Sequence, residues 1–187
     1  MDIQQTTRTL ALKEIEQYGS PTLIHFDISE QNALELAGKL DADVTIVQLG
    51  VYLMDIKLGQ ALVEKRVAEH VQMSRDYAEQ FLQQFELSDI YINKILNCVE
   101  AHHGTVPYTC IEAEICANAD CYRFISPKGF FAYLTLLGKR HNNDFAVCLN
   151  EAEKKLDEKY AVLSLDLCKQ ELEPYYQTLK QYIQESK

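Results

Sequence analysis

Apolar residues recur at helical spacing along almost the whole chain, and that period is broken at a few Gly/Pro-marked places: Gly19-Ser20-Pro21, Gly104 to Pro107, Ser126-Pro127 and Glu173-Pro174. Such a pattern predicts helices joined by short turns and leaves little room for strands. The first helix is expected from about Thr6 to Tyr18. A second should start near Ser29 as N-cap, and a third is expected over Val44–Leu58 behind Asp43. An amphipathic stripe of Val67, Val71, Ser74, Ala78, Phe81 and Leu82 predicts a long helix over Val63–Phe85, and Ser88 caps Asp89–His103. Further helices fit Ile111–Ile125, Gly129–Arg140, Asp144–Tyr160 and Leu165–Ile183, the last bent or restarted near Pro174. The expected fold class is all-α, a compact single-domain helical bundle over residues 1–187.

Two acids sit badly in that bundle. Asp55 ends the apolar run VTIVQLGVYLMDI, and Asp120 lies inside IEAEICANADCYRF, where Ile115, Ala119, Tyr122 and Phe124 pack inward. An ionised carboxylate in such surroundings is costly unless positive charge meets it. Four histidines are placed to help: His25 after a Pro-terminated turn, His70 on the long helix, and His102-His103 at a helix end. Mixed His/Asp sets suit divalent Mn, Fe, Co, Ni or Zn better than Ca, with Mg also in range. His141, in RHNND, is expected to face solvent.

The stretches that carry these residues, LMDIKLGQAL, EHVQMSRDYAEQFL and CVEAHHGTVPYTCIEAEICANADCYRF, resemble the HD superfamily of metal-dependent phosphohydrolases. The last is especially similar to segments of bacterial HD-domain ribonucleases. The resemblance covers about residues 20–130, and the helices over about 144–185 resemble the family's C-terminal support helices. It implies an HD-type fold and one or two metal ions, with His25, Asp55 and Asp120 ligating the first. His70 and either His102 or His103 would bind a second ion or a substrate phosphate. Asp55, His103 and Arg123 take the catalytic roles, Arg123 facing the phosphate. One departure stands out: Met54 occupies the place of the doublet's ligating His, and a thioether is a weak ligand for hard divalent ions.

Charge bears on the partner. With 18 basic and 28 acidic side chains the formal charge is −10, which repels extended nucleic acid and means a small anionic substrate would need a metal; the resemblance implies that substrate is phosphorylated, a nucleotide among the candidates. Six cysteines without a CxxC pair read as reduced packing residues, and the start of the chain lacks the layout of a secretory signal, so a cytoplasmic location is expected with no membrane partner. The alternatives are a degenerate HD protein that binds a nucleotide or anion without catalysis, and a helical interaction domain using the Asp144–Ile183 face.

Overall fold

The computed structural model describes residues 2–187 and contains, among them, ten α-helices and no strand. In chain order they are α1 (Ile3–Tyr18), α2 (Leu23–Lys39), α3 (Val44–Met54), α4 (Leu58–Val63), α5 (His70–Leu82) and α6 (Asp89–Ala101). Then follow α7 (Ile111–Ile125), α8 (Pro127–Arg140), α9 (Phe145–Val162) and α10 (Asp166–Glu185). A 3₁₀ turn, Val67–Glu69, leads into α5.

The bundle is organised around α7, which packs against α2, α3, α6, α8, α9 and α10. All of its residues except Ile111 and Glu114 are buried, as expected of a helix enclosed on every side. Close approach at the centre depends on Gly50 of α3. A Cβ there would fall 2.5 Å from Cys98 Cβ and 2.9 Å from Cys116 Sγ, so the missing side chain lets α3 lie against α6 and α7. The Val44–Val63 stretch is apolar enough by length and composition to cross a membrane, yet 67% of it is buried within the protein, where it forms core.

Local boundaries follow side-chain chemistry. Asp43 Oδ1 accepts from the backbone N–H of Thr45 and Ile46, Ser88 from Tyr91, and Ser126 from Gly129, each supplying an otherwise unpaired first-turn donor with an acceptor. Helix α2 begins earlier than expected: Thr22, directly after Pro21, takes the capping role, and Ser29 is buried in mid-helix. The expected Val44–Leu58 helix ends at Met54, because Asp55 leaves helical geometry at φ −116° and ψ 17°. The Val63–Phe85 segment is likewise divided. Lys65 adopts φ +58°, a left-handed backbone that no helix continues, so α5 starts only at His70. At the other end α10 runs through Pro174 without an interruption. Pro174 and the residue four before it, Gln170, are both exposed, so water can take the carbonyl that proline leaves unpaired.

Gly129 yields a sharp test of packing near the site. An added Cβ would sit 2.5 Å from backbone C and O of Arg123 and from the Tyr122 carbonyl oxygen, none of which can swing aside. Gly129→Ala is therefore expected to destabilise the protein by about 1–3 kcal/mol, read as a lower urea midpoint with an unchanged m-value.

Candidate metal centre

Four elements converge at one end of α7. The α3 terminus presents Asp55, the start of α5 presents His70, the end of α6 presents His102 and His103, and α7 itself carries Asp120 and Arg123. Backbone carbonyls aim two of the imidazoles. His70 Nδ1 lies 2.7 Å from Val67 O and His102 Nδ1 lies 2.6 Å from Val99 O. A nitrogen facing a carbonyl must carry the proton, so both rings turn an Nε2 lone pair inward. His70 Nε2 stands 3.2 Å from His103 Nε2, and one ligating atom from each of His70, His102 and His103 lies within 4.8 Å of the others.

Asp55 joins this group through one oxygen: Oδ1 is 3.6 Å from both His70 Nε2 and His102 Nε2. Donors held at about 2.1 Å by a tetrahedral ion lie roughly 3.4 Å apart, so the spacing suits a small divalent cation. His102 Nε2 supplies the decisive detail. It is buried and has no hydrogen-bond partner, which is costly for a lone pair unless a cation faces it. Burial, with His103 next in effect, pushes the His102 imidazole down to about 3, so the ring is neutral and free to ligate. His70, His102 and His103 therefore fit a metal, with Asp55 Oδ1 beside two of them.

On the far side of Asp55 the arrangement differs. Arg123 Nη1 donates to Asp55 Oδ2 at 2.5 Å and to Asp120 Oδ1 at 2.6 Å, so a guanidinium lies between the two acids. Lys159 Nζ, from α9, meets Asp120 Oδ2 at 2.6 Å and also donates to His103 Nδ1 at 3.1 Å. Burial alone would raise both carboxyls, yet both are held well below the usual range. Burial is the largest single influence on each, and the neighbouring positive groups outweigh it only together, Arg123 first for Asp55 and Lys159 then Arg123 for Asp120.

His25 lines the same cavity but is otherwise engaged. Its Nε2 lies 3.2 Å from Gly129 O and so carries the proton, while the ring packs against Phe124 and Tyr133. Burial, then Arg123, lowers its pKa to about 4. Met54 is 2% exposed and part of the hydrophobic core. The expected trio of His25, Asp55 and Asp120 thus does not fit a shared ion as the side chains stand. Arg123, expected to face a phosphate, lines the cavity while its Nη1 is held by the two acids. Asp55, His70, His102 and His103 do come together.

A cavity of about 520 Å³ opens beside these groups, with Arg140, Lys154 and Lys155 along its wall. The same lining also carries Glu151 and Glu158, the latter paired with Lys155 at 2.7 Å. His141, expected in solvent, pairs at 3.1 Å with Glu151 of the same wall. Glu100 faces Arg75 at 3.6 Å and has no part in the site. Lys159 is the functional residue that sequence reading missed. It continues the buried stripe Cys148, Ala152, Leu156 of α9 at helical spacing, a position where lysine is anomalous, and that anomaly was the available signal.

No protein-family model matches the chain. Over 110 residues, 59% of its length, it is 31% identical to ribonuclease Y of Finegoldia magna, and it spans only 20% of that relative's length. Its structure is similar to the crystal structure of a predicted HD superfamily hydrolase from an uncultured Thermotogales bacterium, with a TM-score of 0.69 and 14% identity over 97% of this chain and 89% of that one. With α7 enclosed by its neighbours and the His/Asp residues gathered at one end, the chain has the all-helical fold of the HD superfamily, the family its own sequence resembles.

Proposed function

We propose that this protein is a metal-dependent hydrolase of phosphate esters, with one divalent transition ion held by His70, His102, His103 and Asp55. The observation that carries this reading is the inward-facing, unpartnered Nε2 of His102 beside two further imidazoles and a carboxylate oxygen. When bound there, a divalent ion acidifies water and polarises a phosphoryl oxygen.

The chain's own residues do the remaining work. Val67 O and Val99 O fix the tautomers of His70 and His102 from behind. Lys159 Nζ and, at 3.7 Å, Glu158 Oε1 both face His103 Nδ1, so that nitrogen finds a partner with or without its proton. Arg140, Lys154 and Lys155 draw an anion toward the cavity and offset the acidic surface. A volume of about 520 Å³ suits a small phosphorylated molecule, a nucleotide included, better than extended nucleic acid. Six free thiols suit a reducing, cytoplasmic setting.

One observation favours a second reading, an anion-binding protein without turnover: Arg123 neutralises Asp55 and Asp120 where the family resemblance implies an ion. A panel of nucleotides and a chromogenic phosphodiester, each with Mn, Co or Ni, separates the two. Turnover that depends on the ion and stops with a chelator is the expected result. Phosphate binding without turnover selects the second reading, and neither binding nor turnover overturns both.

A further inference from the structure

We infer that the gap between Asp55 and Asp120 takes no metal, and that Arg123 and Lys159 are fixed positive charges standing in for one, so the chain loads a single ion. This rests on the metal centre proposed above and deepens it by assigning the count and the role of two cations.

The charge balance carries the inference. Asp55 and Asp120 contribute two negative charges, Arg123 and Lys159 two positive ones, and all four side chains are less than a tenth exposed. The group is neutral and paired at 2.5–2.6 Å throughout. An ion entering between the carboxylates would have to displace the Arg123 guanidinium, whose Nε is already buried without a partner. Its removal would break two buried charge-assisted pairs at once, and breaking a buried pair is strongly destabilising. Neighbouring donors do not compensate. Among the described residues His25 belongs to no cluster of ligating atoms, and Met54 offers only a thioether. On the imidazole side, His70 Nε2, His102 Nε2 and Asp55 Oδ1 face one another with no guanidinium between them.

Asp55 joins the two halves. One oxygen accepts from Arg123 and the other faces His70 and His102, which makes Arg123 a positioning residue that keeps the carboxylate aimed.

The test is the stoichiometry of manganese binding to the chelator-stripped full chain, by equilibrium dialysis and paramagnetic resonance. One equivalent is expected, retained in Asp120→Asn and lost, with at least a hundredfold weaker binding, in His102→Ala. Met54→His combined with Arg123→Ala, which restores an imidazole and removes the guanidinium, is expected to bind a second equivalent. Two equivalents in the wild type would overturn the single-ion inference and leave the proposed function standing. No binding at all would overturn both. If Asp120→Asn lost the ion while circular dichroism showed it folded, the fixed-charge role would fall. The wild-type count decides the matter even where a variant fails to fold.

Discussion

Lys159→Met is expected to cost about 3–5 kcal/mol of stability, the range for removing one member of a buried ion pair. Lys159 is 1% exposed and its ammonium meets Asp120 at 2.6 Å. Burial opposes its charge, but the Asp120 carboxylate prevails and raises its pKa above the ordinary lysine value. Methionine fills a similar volume yet offers no proton, leaving the second oxygen of a buried carboxylate without its donor. For a chain of this size each kcal/mol corresponds to about 2–4 °C, so melting should fall by roughly 10 °C. A further substitution, Asp120→Asn in the Lys159→Met background, should restore part of the loss by removing the stranded charge. A thermal melt within 2 °C of wild type for Lys159→Met would show that the pair contributes nothing.

His102→Leu separates the metal centre from the scaffold. The variant without metal should stay within about 1 kcal/mol of the wild type. It loses the bond from Nδ1 to Val99 O, worth about 1 kcal/mol, but also removes a buried lone pair whose desolvation costs a similar amount. Metal binding should suffer far more. With an ion at about a hundred times its dissociation constant, the wild type gains roughly 2.7 kcal/mol. That gain, seen as a rise in melting temperature on adding manganese or cobalt, should vanish in His102→Leu. An unchanged rise would place the ion elsewhere.

Much of the fold was legible in residues that act locally. Asp43 and Ser88 cap helices where their short polar side chains and the apolar residues behind them foretell it. Ser29 misled because the break set by Pro21 lies one residue before Thr22, a competing cap whose helix then runs on through Phe26 and Ile28. The division at Lys65 was illegible, since a left-handed lysine carries none of the signal that glycine or asparagine would. For the site, apolar neighbours correctly marked Asp55 and Asp120 as buried acids in need of positive charge. The nature of that charge was not readable. Arg123 lies three residues from Asp120, and whether it turns to the acids or to the cavity depends on packing among α3, α7 and α9. Lys159 arrives from 39 positions further along the chain, a distance no local pattern spans.

The pairing of both acids with the chain's own cations has a consequence for the order of events during synthesis. Small zinc domains stay unfolded until their ion arrives, because their core is too small and the ion's binding free energy drives the folding. Here the central carboxylates are already matched by Arg123 and Lys159, so collapse around α7 proceeds whether or not the cell supplies a cation. Loading of the proposed metal centre would then be a late step into a finished pocket, and scarcity of the ion would leave intact, empty molecules rather than misfolded ones.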